Sequence, residues 1–212
     1  MRRFLILLGV AALVLAVGYT IVWFVAASRV EAALDRALAR EAAAGRTWTC
    51  PERRVDGFPK QMQVTCVAPT FAGQIGGEPA TGRLGALIGL ARIWQPNNIQ
   101  FDLQGPLVAE RGDGGRMQID WSAARVSLRG LPGSFERVSL IAEDVRLSAA
   151  GLLAPPSAQR FEAHLRAAPR PTEGRGVEHA ADIVLRVSGG AWPPLDHRPG
   201  AGDGGARFRP PR

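Results

Sequence analysis

The hydrophobic pattern divides the chain into a long uncharged run, a short amphipathic stretch and a body of period-two alternation. Phe4 to Ala27 is 24 residues without a charged side chain. A helix of that length rises about 36 Å, enough to cross a hydrocarbon core of roughly 30 Å. Arg2 and Arg3 precede it, which keeps the N-terminus cytoplasmic and sends the body outward. Tyr19, Trp23 and Phe24 lie toward the far end, where aromatic rings favour the membrane interface. A cleaved signal peptide is the competing reading, with Val25-Ala26-Ala27 as the small-residue site. The apolar run is much longer than a usual signal core, so an uncleaved anchor over residues 1–27 is expected. Residues 28–45 then predict an amphipathic helix. Val30, Ala33, Leu34, Ala37 and Leu38 repeat at three and four, Ser28 is placed to cap it, and Gly45 to stop it.

From residue 46 to 194 the period changes to two. Ile99, Phe101 and Leu103 interleave with Gln100, Asp102 and Gln104; Met117, Ile119 and Trp121 with Gln118, Asp120 and Ser122. Val138, Leu140 and Ala142 alternate with Arg137, Ser139 and Glu143, and Phe161, Ala163 and Leu165 with Glu162, His164 and Arg166. Ile183, Leu185 and Val187 close the series. Turn residues separate the strands at Pro96-Asn97-Asn98, Gly112–Gly115, Gly130–Gly133 and Pro155-Pro156. Ala86–Trp94 fits a buried strand that bends at Gly85 and Gly89. No crossover helix intervenes, so the fold class is mainly β: a curved antiparallel meander with one apolar and one polar face. The apolar phase slips after Ala123 and again after Ala142. Bulges near Ala124-Arg125 and Glu143-Asp144 would absorb those slips and bend the sheet. The apolar face needs a cover, either the sheet's own core with the 28–45 helix laid on it or an apolar ligand.

Charge changes this picture little. The chain has 212 residues, 26 Lys+Arg, 19 Asp+Glu and a net charge of +7. The Arg2-Arg3 pair and the stretch after Pro194 each supply +2, leaving +3 spread from Ser28 to Pro194. A nucleic-acid domain would cluster its charge, so nucleic acid is not an expected partner. Residues 195–212 are rich in Gly, Pro and Arg without an apolar period and are expected to be a disordered tail.

The two cysteines, Cys50 and Cys66, both follow the anchor. In an oxidising compartment such a pair most simply forms a bridge. The Asp56-Gly57 turn signal between them would fold a hairpin that brings the sulfurs together. A redox pair normally has CxxC spacing and a metal site needs more ligands; reduced thiols are the remaining alternative.

Candidate chemistry is sparse. Ser157, Ser188, Asp144, Glu162 and His164 qualify only by residue type and lie in no hydrolase or zinc-protease frame. His164, His179 and His197 lack metal spacing. Gly73–Gly85 is glycine-rich without the Lys-Ser/Thr of a phosphate loop. Neither catalytic activity nor a cofactor is expected.

Three segments occur together: the N-terminal anchor; Trp48-Thr49-Cys50-Pro51 with Gly57-Phe58-Pro59 and Cys66; and Trp94-Gln95-Pro96-Asn97 leading to Leu103-Gln104-Gly105-Pro106-Leu107. In these the chain, over roughly Met1 to Pro194, resembles the alphaproteobacterial family of uncharacterised envelope proteins known as DUF2125. A weaker architectural likeness is to AsmA-type envelope proteins, which also join an anchor to a β-rich, lipid-associated body. The resemblance implies an envelope location and a cysteine pair, and no mechanism. Family members usually run on with more β-structure, so the tail implies a departure from the family, either a truncation or frameshift or a natural solvated end. Gly57 allows the turn and Pro59 fixes its exit.

Two functions follow as expectations. The first is a protein of the inner membrane with one span and a periplasmic body. It would bind or shield an apolar ligand such as lipid on Phe101, Leu103, Ile119, Trp121, Leu140, Phe161, Leu165 and Leu185. The second is a structural or assembly protein that contacts another envelope protein.

Overall fold

A computed structural model describes residues 2–130, 135–149, 152, 154–171 and 177–191. The expected tail at 195–212 lies outside them, as does most of the Gly130–Gly133 turn. The first element is one uninterrupted helix, α1 (Arg2–Ala43), so the anchor and the amphipathic stretch are a single rod. Ser28 caps nothing: it lies mid-helix, its hydroxyl donating to the Val25 carbonyl at 2.9 Å. The helix stops where Gly45 takes φ +77°. Arg46 N–H then reaches the Glu41 carbonyl (2.9 Å) and Gly45 N–H that of Ala42 (3.0 Å), which satisfies carbonyls the helix would leave orphaned.

Among the described residues the body is one antiparallel sheet of eleven strands. They are β1 (Thr47–Thr49), β2 (Glu52–Asp56), β3 (Gln61–Val67), β4 (Thr70–Ile75), β5 (Glu78–Arg92) and β6 (Gln95–Arg111). β7 (Arg116–Asp120), β8 (Ala123–Arg129), β9 (Arg137–Ala149), β10 (Ser157–Pro171) and β11 (Val177–Ser188) complete it. Several are halves of longer runs. β3 and β4 pair successive stretches of β5, and β8 and β7 pair successive stretches of both β6 and β9. The result is a meander of long strands in which sequence neighbours hydrogen-bond.

A transverse line of irregularity crosses these strands at mid-length. Ala68 has φ +48° between β3 and β4. Opposite it, β5 shifts register against β6 between Leu84 and Ala86. Here a side chain on Gly85 would strike the carbonyl oxygens of Gln104 (2.8 Å) and Gly105. β7 and β8 part at Trp121-Ser122. Asp144 in β9 has φ +52°, and its carboxylate accepts from the Ser122 hydroxyl at 2.8 Å. Gln159 drops out of the β9–β10 ladder beside it. The expected irregularity at Glu143-Asp144 is therefore present. The one placed at Ala124-Arg125 falls instead at Trp121-Ser122, because Ala124 and Arg125 pair regularly with Leu103 and Asp102. Trp121 leaves the strand pattern for the same reason, its indole N–H donating to the Leu103 carbonyl at 2.8 Å.

Other expectations shift modestly. The β5–β6 turn is Ile93-Trp94, and Pro96-Asn97-Asn98 belongs to β6. The sheet begins at Thr47, next to the expected start of the β body at residue 46. The glycine-rich 73–85 segment is a hairpin turning at Gly76 and Gly77, with φ +63° and +87°.

Candidate functional site

Directly opposed residues of an antiparallel pair share a face, so the register assigns the apolar side chains to rows. One row crosses Gly89, Phe101, Val126, Leu140, Ala163 and Leu185. The next runs Leu87, Leu103, Ala124, Ala142, Phe161 and Val187, with Cys66 beside Leu87. The third holds Ala91, Ile99, Leu128, Val138, Leu165 and Ile183. Six of the expected face residues, Phe101, Leu103, Leu140, Phe161, Leu165 and Leu185, thus sit in three adjacent rows. Ile119 lies beyond the transverse line in a fourth row with Leu84, Leu107 and Leu147. Trp121 lies in the line itself, its ring over Gly105.

Little covers this face. Among the described residues of these rows the buried apolar side chains are the small ones, Cys66, Ala124 and Ala142. Phe101, Leu103, Leu140 and Phe161 are half-buried. Toward β11 exposure rises to 64 % at Leu185 and 68 % at Ile183. A helix lying across the rows would bury their large side chains first. Instead α1 runs beside the sheet margin, against β1 and β2. There Arg53 meets Asp35 of the helix at 2.7 Å.

The β2–β3 turn, Gly57 to Lys60, forms the other contact with α1. Gly57, at φ +102°, turns the chain so tightly that a side chain there would meet the Gln61 carbonyl at 2.7 Å. Phe58 packs against Tyr19, Trp23 and Phe24, with ring centroids 6.0, 5.5 and 6.3 Å away. The Tyr19 hydroxyl donates to the Pro59 carbonyl, and the Trp23 indole N–H to that of Gln61 at 3.4 Å. Trp23 is left 5 % exposed. Cys50 and Cys66 form a disulfide with Cα atoms 5.6 Å apart. It ties the chain ahead of β2 to β3, closing the hairpin as the turn signal implies.

The opposite face is polar and carries a cluster that sequence spacing alone understates. The Arg160 guanidinium donates to Glu162 (2.6 Å) and to Glu143 (3.2 Å). His164 contacts Glu162 at 3.4 Å through Nε2 and the Ser139 hydroxyl at 3.0 Å through Nδ1. The Arg160 hydrogen bond, seconded by His164, holds the Glu162 carboxyl below its ordinary value of 4.5. Glu162 and His164 are two apart on one strand, but Ser139 and Glu143 arrive from β9 through register. A shallow depression of about 620 Å³ opens beside the transverse line and is lined by Asp102, Arg125, Glu143 and Arg160 among others. Among the described residues no group of three His, Cys, Asp or Glu side chains has a metal-binding arrangement.

Residues 2–43 include an 18-residue window of mean hydropathy 2.6, and α1 is the one described helix long and apolar enough to cross a membrane. No curated protein and no solved structure matches this chain. The family model described as "Uncharacterized protein conserved in bacteria (DUF2125)" matches residues 23–210. That match starts within the apolar helix, later than the resemblance suggested, and runs on through the Gly/Pro/Arg-rich stretch that was expected to depart from the family. With most of its length covered by that match, the chain belongs to the DUF2125 family.

Proposed function

We propose that the protein is anchored in the bacterial inner membrane by α1, with its disulfide-bonded body in the periplasm, and that the apolar sheet face binds or shields a lipid acyl chain. The observation that carries this reading is the set of three adjacent apolar rows whose large side chains are half-buried and, toward β11, exposed, while among the described residues the buried apolar side chains of the sheet are small. A contiguous apolar surface beyond a few hundred Å² on a folded domain marks an interaction site. Bulges bend strands and sharpen their twist, so the transverse line would turn the face into a trough. The disulfide favours an oxidising compartment, and Arg2-Arg3 before the span favours outward export of the body.

The role is binding rather than catalysis. Ser139, His164 and Glu162 form a hydrogen-bonded array, but β9 is paired on both sides there. Its amides are spent in the ladder, leaving none to stabilise an oxyanion, and Glu162 is engaged by Arg160.

The protein purified from membranes should carry acyl lipid in native mass spectrometry, and Phe101→Asp with Leu140→Asp should abolish it while the sheet's circular dichroism persists. Recovery of the wild type free of lipid, with no labelling by a photoactivatable fatty acid, would refute the proposal. A second reading, an assembly protein, is favoured by one observation: β11 is bonded only to β10 among the described residues and exposes Ile183, Leu185 and Val187. Such an edge recruits another strand. It predicts a specific crosslinked protein at β11 and no bound lipid.

A further inference from the structure

We infer that the turns at the α1 end of the sheet rest on the membrane surface, with Trp94 and Ile93 of the β5–β6 turn inserted into the lipid interface beside the Phe58 turn. This rests on the reading of α1 as a membrane span. About 20 helical residues cross the hydrocarbon core, so a span that begins at Phe4 leaves it near Trp23. The β2–β3 turn is fixed at that level of the helix. Phe58 packs on Tyr19, Trp23 and Phe24, and the Tyr19 and Trp23 polar groups bond the backbone of Pro59 and Gln61. Tyr19 to Phe24 covers only about 7.5 Å of helix. The turn therefore cannot stand clear of the bilayer if α1 spans it.

The next turn lies alongside. Ile93 N–H donates to the Lys60 carbonyl at 3.4 Å, and Gln61 opposes Arg92 in the ladder. Ile93 and Trp94 are 44 % and 63 % exposed, at odds with the cost of apolar surface at a two-residue turn in water. Indole rings favour the headgroup level. Two exposed cations, Lys60 and Arg92, flank the pair and suit anionic headgroups, each worth roughly 1 kcal/mol near such a surface. Asp56, across the first turn, is the nearby opposing charge. The direction of α1 agrees: beyond Trp23 it rises along the margin, meeting β2 at Arg53 and ending beside β1. The strands thus climb away from the membrane with the helix, and their apolar rows start at the lipid surface.

The test uses the full chain reconstituted in phosphatidylcholine:phosphatidylglycerol vesicles, with and without brominated acyl chains. Resistance to carbonate extraction reports the span, and tryptophan quenching reports the turn. Trp23 and Trp94 are the indoles placed at the interface, so Trp94→Phe should remove about half of the quenchable emission. Lys60→Gln with Arg92→Gln should weaken quenching only when phosphatidylglycerol is present. Unchanged quenching in Trp94→Phe, with carbonate resistance intact, would overturn the inference and leave the span standing. Extraction of the wild type by carbonate would overturn both.

Discussion

The two margins of the sheet are held in different ways. At the β2–β3 margin a disulfide ties the chain ahead of β2 to β3, and four aromatic rings, an Arg53–Asp35 ion pair and two side-chain bonds to backbone carbonyls fasten the strands to α1. The β10–β11 margin has the longest unbroken two-strand ladder among the described residues, from Arg160↔Ser188 to Pro171↔Val177, yet Leu185 and Ile183 remain open to solvent. Backbone pairing alone is weakly stabilising in water, because each bond replaces one made to solvent. Covalent and aromatic contacts add what a single-layer sheet lacks. Local stability should therefore fall from the helix side to the β11 side, which is where partners or ligands would find the lowest barrier to rearrangement.

The largest break in that contrast is removal of the bridge. Cys50→Ala with Cys66→Ala should cost about 3 kcal/mol by loop-closure entropy, and hydrogen exchange should accelerate first in β2 and β3. Equal acceleration across the sheet would mean that the margins are not independent. A smaller effect sharpens the comparison. Phe58→Ala removes three aromatic contacts and should cost about 1–2 kcal/mol, whereas Leu185→Ala at the open margin should cost less than about 0.5 kcal/mol, both read from denaturant unfolding in detergent. Comparable losses would erase the asymmetry.

The smallest effect is pH-dependent. Glu162 is held below 4.5 in the folded protein, chiefly by the Arg160 hydrogen bond. A depressed carboxyl contributes stability that is complete above its unfolded value and is lost as pH falls through the folded one. Protection in β10, taken relative to the intrinsic exchange rate at each pH, should thus fall below pH 4.5, and Arg160→Gln should flatten that response. A response that survives Arg160→Gln would assign it to other carboxylates.

Much of the fold was legible along the chain because period two survives single-layer burial: β9, β10 and β11 coincide with the alternations at Val138, Phe161 and Ile183. β2 and β4 were less so, since Glu-Arg-Arg-Val-Asp and the glycine-rich hairpin offer few large apolar side chains to mark their inner positions. Six members of the apolar face were readable from alternation. The Arg160–Glu162–His164–Ser139 cluster was half hidden because a strand's neighbours across the ladder depend on register, which no local pattern encodes.

Local composition by itself determined the apolar helix, the stop at Gly45 and the strand periods, because each is set by residues close to one another along the chain. Only the tertiary structure decided that α1 runs beside the sheet instead of across it, that the breaks at Ala68, Gly85, Trp121 and Asp144 align into one line, and that Phe58 meets Trp23. Those outcomes depend on where distant segments come to lie, and they are settled by the summed fit of many weak contacts that no single stretch of the chain contains.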